Sequence, residues 1–153
     1  MSANKLRIGF IGLGALGEGL CNNLVKAGYP VVVNDLNKDL AKGLLAGGAT
    51  WSDDVAGTCR DADVVITVLP SPAVSRKVVE GAGGVFENLK SGGTWIEMST
   101  TDMEDLLRLS DVAKSKGITV LECPVTGGVH LANSGEITVL VGGEESTFNR
   151  VKE

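Results

Sequence analysis

Two hydrophobic patterns alternate along this chain. Apolar runs of strand length recur at residues 6–11, 30–34, 63–69, 94–97 and 118–122. Their shortness and β-branched content predict buried parallel strands. Between them the apolar residues take helical spacing. Leu16, Leu20 and Leu24 recur at i+4 and Gly28 stops the pattern, which predicts a helix closed by a left-handed cap. Residues 38–46 predict a second helix ended by Gly47-Gly48, and residues 49–51 a short strand. Ser52 or Asp53 is placed to cap a short helix ending near Arg60. After Pro70-Ser71-Pro72 a helix is predicted over 73–80, then a short amphipathic piece to Leu89. Thr101-Asp102-Met103-Glu104 reads as a capping box before Leu106, Leu109, Val112 and Ala113, a helix that Gly117 ends. Residues 137–141 predict one further strand, and 144–153 the opening of a final helix.

Strand and helix thus alternate without a sequence repeat. That order predicts an α/β fold: a doubly wound, mainly parallel sheet of Rossmann type with helices on both faces. Ligands of such sheets bind at the carboxyl ends of the strands, near the reversal of strand order. Four segments are expected at that edge: the loop 12–17, Asp35, Leu69-Pro70-Ser71 and Met98-Ser99-Thr100. Residues 1–153 are expected to form one dinucleotide-binding domain, with no linker in the composition.

The loop carries the chemistry. Gly12-Leu13-Gly14-Ala15-Leu16-Gly17 is G-x-G-x-x-G set between a strand and a helix, the fingerprint of a dinucleotide site. Gly12 permits a tight turn, Gly14 leaves room for a pyrophosphate, and Gly17 allows close packing of the helix. Phosphates would meet free N–H groups at the helix start, where the dipole favours anions. Asp35 follows Gly14 by 21 positions, the spacing of a carboxylate that accepts from the adenosine ribose hydroxyls. It would repel a 2′-phosphate, and no arginine follows it, so NAD is favoured over NADP. Lys38 is the one nearby cation that argues the other way.

Bulk properties narrow the partners. The chain has 153 residues, 43% of them hydrophobic, enough for a sizeable core. A net charge of −5 argues against nucleic acid and anionic membranes. No apolar run reaches membrane-spanning length, and the start 1–5 has no signal-peptide character. Cys21, Cys59 and Cys123 are scattered, with neither disulfide nor zinc spacing, which fits a reducing cytoplasm. No metal is expected. Cys21 and Cys123 are expected to pack, as are Trp51 and Trp95.

With those residues in place, the chain resembles the β-hydroxyacid dehydrogenases, the group that includes 3-hydroxyisobutyrate dehydrogenase and tartronate semialdehyde reductase. Residues 8–17 are similar to the family's G-F-I-G-L-G-x-M-G, with Leu16 where methionine is usual. Leu69-Pro70-Ser71 is similar to its L-P-S segment beside the cofactor, and Ser99-Thr100-Thr101 to its S-T-I segment near the nicotinamide. Glu122-Cys123-Pro124-Val125-Thr126-Gly127-Gly128 is similar to its substrate motif D-A-P-V-S-G-G. Ala132, Gly135 and residues 137–143 continue that likeness.

The resemblance implies hydride transfer between a nicotinamide and a short 3-hydroxyacid or its semialdehyde. Gly12, Leu13, Gly14, Ala15, Leu16, Gly17, Asp35, Leu69, Pro70 and Thr100 would hold NAD; Thr126, Gly127 and Gly128 would hold a small hydroxyacid. Thr126 keeps the serine hydroxyl and adds a methyl. The family's catalytic lysine lies in a helical domain that the resemblance places beyond Glu153, so no catalytic residue is assigned here. His130, the only histidine, is a weak surrogate and reads better as an exposed loop residue. The isolated chain is expected to bind NAD(H) and turn over little. A face left by the helical domain would be apolar and able to self-associate. Two other readings stand beside this one: a non-enzymatic NAD(H)-responsive module, and an enzyme half completed by another polypeptide.

Overall fold

The computed structural model describes residues 5–153; the start 1–4, read above for a leader, lies outside the described residues. The first strand, β1 (Ile8–Ile11), is buried throughout. It leads through the glycine loop into α1 (Ala15–Lys26), after which Gly28 takes the expected positive φ of 79°. β2 (Val31–Asn34) follows, then a 3-10 turn (Lys38–Ala41) that runs into α2 (Lys42–Ala46). β3 (Thr50–Trp51), α3 (Val55–Cys59), β4 (Val64–Thr67), α4 (Pro72–Glu80), α5 (Val85–Asn88) and β5 (Thr94–Glu97) continue the alternation. α6 (Met103–Ser115) and β6 (Thr119–Glu122) complete the parallel part. The tail holds β7 (Val125–Thr126), α7 (Gly128–Ser134), β8 (Thr138–Val139), β9 (Gly142–Gly143) and α8 (Glu145–Val151).

The sheet has seven strands in the order β3-β2-β1-β4-β5-β6-β9. All neighbours are parallel except β9, which runs antiparallel to β6 with Gly143 opposite Leu121. Strand order reverses between β1 and β4, where Ile11 faces Asn34 on one side and Thr67 on the other. Two cores form, one per face. Cys59, Val65, Val79, Phe86, Trp95 and Leu109 pack under α3 to α6; Phe86 meets the Trp95 ring edge-on at 5.1 Å. Phe10, Cys21, Val25, Val33, Leu44 and Ile66 pack under α1 and α2. The expected doubly wound fold is therefore present.

Local details differ. The buried face of α1 is Gly17, Gly19, Cys21 and Val25, while Leu20 and Leu24 are half-buried and line an apolar groove of about 320 Å³ shared with Phe148 and Val151. Asp54, not Ser52 or Asp53, caps α3 by accepting the Gly57 N–H at 2.6 Å. Asp53 instead accepts from the Trp51 indole at 2.6 Å, and Trp51 is half-buried with Lys38 over its ring. α4 begins one residue early because Ser71 caps it and Pro72 suits its first position. The capping box before α6 does not form. Asp102 is the boundary residue, with no side-chain cap bond, and the Thr101 hydroxyl is buried without a partner. With the boundary at Asp102 the residue that would reach back is Asp105, and Arg76 of α4 engages it instead.

The predicted strand over 137–141 runs instead from Thr138 to Gly143 with an interruption at 140–141. β8 pairs antiparallel with β7 and β9 with β6 in one continuous register, and between them the Leu140 N–H donates to the carbonyl of Pro124, which has no N–H to return, at 2.9 Å. Residues 128–134 form a helix, so His130 is an exposed helical residue and not a loop one. Arg150 of α8 fastens the tail: its guanidinium donates to the Gly92 carbonyl at 2.9 Å, to the Thr119 hydroxyl at 2.9 Å, and to the Thr94 hydroxyl.

Candidate functional site

Three contacts gather the loops at the carboxyl edge. The N–H of Leu13 donates to Asp35 Oδ2 at 2.7 Å, joining the glycine loop to the end of β2. Gly12 lies against Val68: a Cβ there would come within 2.1 Å of the Val68 carbonyl oxygen and 3.3 Å of Leu69 Cδ2. The N–H of Leu69 donates to Ser99 Oγ at 2.8 Å, joining the ends of β4 and β5. Asp35, Leu13, Gly12, Leu69 and Ser99 thus form one line across four strands, on either side of the strand-order reversal.

The three fingerprint glycines have different reasons. Gly12 has φ +99° and faces backbone, so both conformation and space demand glycine. A Cβ on Gly17 would lie 2.1 Å from the Gly12 carbonyl oxygen, so its absence lets α1 start against the loop. Gly14 is exposed, and a Cβ there would meet nothing within 4 Å. The protein's own packing does not require glycine at 14.

α1 opens without a side-chain cap. The first N–H groups of a helix have no partner within it, and here Ala15, Leu16 and Gly17 begin that turn. The residues present therefore fit a pyrophosphate. Asp35 is half-buried, and its Oδ1 accepts the Asn37 N–H at 2.8 Å. Each carboxylate oxygen so keeps a second lone pair for a ribose hydroxyl. Leu36 beside it stands wholly in solvent, an apolar side chain with nothing to cover it. Its exposure was not legible in the sequence. Lys38 places its ammonium 5.3 Å over the Trp51 ring.

On the far side of the reversal, Leu69 is half-buried while Pro70 and Thr100 are exposed. Beneath them lies Glu97, the last residue of β5, wholly buried. Its carboxylate accepts from the Thr67 hydroxyl at 3.0 Å, the Ser99 N–H at 2.9 Å and the Ser75 hydroxyl. Sequence reading passed over Glu97. The available signal was a carboxylate closing an otherwise apolar strand before Ser99-Thr100.

Thr126, Gly127 and Gly128 are exposed at the junction of β7 and α7. Gly127 and Gly128 have φ of 129° and 81°, a pair of left-handed residues that only glycine adopts readily. This segment has no hydrogen bond to the cofactor-side loops; α7 brings it alongside α1. A Cβ on Gly19 would strike Asn133, and Asn23 Nδ2 donates to the Ala132 carbonyl at 2.6 Å.

The thiols are not reactive groups. Burial pushes Cys21 and Cys59 up to about 12, and burial with the adjacent Glu122 charge pushes Cys123 up to about 11. Among the described residues no group of three or more His, Cys, Asp or Glu side chains clusters for a metal. No helix among them is long and apolar enough to cross a membrane.

Comparison with known proteins shows the family of the chain. Residues 7–153 match the family described as the NAD binding domain of 6-phosphogluconate dehydrogenase. Mitochondrial 3-hydroxyisobutyrate dehydrogenase of Rattus norvegicus is 36% identical over 151 residues, covering 99% of this chain and 45% of the relative. The solved 3-hydroxyisobutyrate dehydrogenase of Mycobacterium tuberculosis, with L-serine, superposes with a TM-score of 0.89 at 33% identity, over 97% of this chain and 50% of that one. Psf3 in complex with NADP+ and 2-OPP superposes with a TM-score of 0.90 at 27% identity, over 95% of this chain and 51% of that one. The chain spans about half the length of these relatives. It belongs to the NAD-binding domain family of 6-phosphogluconate dehydrogenase, among relatives that are 3-hydroxyisobutyrate dehydrogenases.

Proposed function

We propose that this chain is the NAD(H)-binding half of a β-hydroxyacid dehydrogenase that interconverts a short 3-hydroxyacid and its semialdehyde. The observation that carries the cofactor reading is Gly14, whose missing Cβ would touch no protein atom. A pyrophosphate on the uncapped start of α1 accounts for it, with the first-turn N–H groups as donors. Asp35 accepts from the adenosine ribose, and Leu36 covers the adenine. The cofactor supplies the hydride acceptor or donor at its nicotinamide C4.

NAD is favoured over NADP for two reasons. The Asp35 carboxylate repels a 2′-phosphate, and Lys38, which would have to receive that phosphate, sits over Trp51. Leu69, Pro70 and Thr100 flank the nicotinamide half. The N–H groups of Thr126, Gly127 and Gly128 hold the substrate carboxylate, as adjacent glycines can form an anion-binding nest. No residue of this chain is proposed as the base, and exposed His130 on α7 is not one.

Calorimetric titration of the chain with NADH and NADPH tests the reading. NADH should bind at least about tenfold tighter, the worth of one favourable charged contact. Failure to bind either cofactor would refute the nucleotide site, and tighter NADPH binding would refute the choice of NAD.

A further inference from the structure

Glu97 is a carboxylate taken wholly out of water. Among the described residues no lysine, arginine or histidine forms an ion pair with it. Burying such a group is costly, and a well-packed apolar side chain at the same place is often the more stable choice. Its neighbours show what it holds together. Thr67 Oγ1 accepts the Trp95 indole N–H at 2.9 Å, so its own proton is free to go to Glu97 Oε1. Ser99 donates its N–H to the same oxygen, and Ser75 of α4 donates to Oε2. Ser99 then turns its hydroxyl oxygen to the N–H of Leu69.

One carboxylate therefore binds the end of β4, the second turn of α4 and the turn after β5. The two segments it ties together are Leu69-Pro70-Ser71 and Ser99-Thr100-Thr101, of which Pro70 and Thr100 are exposed to solvent. Strand order places them opposite Asp35 and across the glycine loop from it. A dinucleotide with its adenosine at Asp35 and its pyrophosphate at the loop must extend its other half over these two segments.

We propose that Glu97 is a positioning residue that sets the floor under the nicotinamide half of the cofactor, acting through Ser99 and Leu69 without touching the cofactor. This rests on the nucleotide-binding reading above. Its role is the placement of acceptors and not its charge. Glutamine at 97 can reproduce it: the amide oxygen accepts from Thr67 and Ser99, and the amide nitrogen donates to a Ser75 hydroxyl that has turned round. Leucine cannot, and leaves the Ser99 N–H and Thr67 hydroxyl without their partner.

The test compares NADH with ADP-ribose, which keeps the adenosine and pyrophosphate and lacks the nicotinamide. Both are titrated by calorimetry into the wild-type chain and into Glu97→Leu, Glu97→Gln and Ser99→Ala. Glu97→Leu and Ser99→Ala should weaken NADH by about tenfold and ADP-ribose by less than about twofold, since only one half of the site moves. Glu97→Gln should restore wild-type affinity for both. Equal losses of the two ligands, no loss of NADH, or a Glu97→Gln protein as weak as Glu97→Leu would each overturn the proposal. If Glu97→Leu does not fold, Ser99→Ala carries the same comparison, because it cuts the link to Leu69 and leaves the carboxylate cluster in place. A wild-type chain that binds neither ligand would overturn the nucleotide-binding reading itself.

Discussion

The Leu13 N–H and the Asp35 carboxylate meet at 2.7 Å, so the residue proposed to read the ribose also braces the glycine loop. Asp35→Ala should act in two ways. It removes the ribose acceptor and leaves the Leu13 N–H unpaired in a half-buried place. NADH affinity is expected to fall about ten- to a hundredfold, the range for losing hydrogen bonds to a charged group. NADPH should lose less, because repulsion of its 2′-phosphate disappears. Parallel titrations with both cofactors check the ratio.

The fingerprint glycines should separate by readout. Gly14→Ala places its methyl in open space and should cost less than about 1 kcal/mol in stability, while NADH binding is lost. Gly17→Ala drives a methyl into the Gly12 carbonyl and should cost about 2–3 kcal/mol, as overpacking against backbone does. Urea denaturation and NADH titration of the two variants check both halves.

The contact between α4 and α6 should add stability at neutral pH that is lost in acid. Arg108 Nη1 and Nη2 donate to the two Glu80 oxygens at 2.8 and 2.6 Å. The guanidinium holds the Glu80 carboxyl below its ordinary 4.5. A depressed carboxyl contributes stability that is fully present above the unfolded value and lost as pH falls through the folded one. Arg108→Gln should therefore lower the melting temperature slightly near pH 7, the small effect of an exposed pair. Below about pH 4.5 its melting temperature and that of the wild type should converge, as both proteins protonate Glu80. Thermal melts between pH 3 and 7, at about unit steps, would show it.

Gly127 and Gly128 depend on how α7 is docked. Asn23→Ala removes donors to the Ala132 and Gly19 carbonyls, at 2.6 and 2.9 Å. It should cost about 1–2 kcal/mol and raise amide exchange in residues 126–134 above that in β1 and β4. Equal exchange in the variant and the wild type would show that α7 does not rely on this bond.

Much of the candidate site was legible because it rests on backbone demands and local periodicity. Gly12 and Gly17 are read correctly from a strand–loop–helix frame, since both the turn and the close packing are local. α7 was not legible. It opens on a glycine, spans seven residues and has no side-chain cap, so no propensity argument favours it. Its stability comes from Asn23 and Gly19, more than a hundred positions earlier. The capping box expected at Thr101 is missing because α6 starts one residue later, and at that boundary Arg76 on another helix engages Asp105, the residue that would reach back.

The sequence by itself determined the alternation of strands and helices, the glycine loop and the acidic residue at the end of β2. Those follow from hydrophobic period, from glycine's freedom and from a fixed spacing along one βαβ unit. The tertiary structure alone decided that β8 and β9 fold back antiparallel along residues 121–126, that α7 exists, and that Glu97 is buried among Thr67, Ser75 and Ser99. A polar residue's burial depends on which distant donors arrive around it, and a linear pattern does not contain their arrival.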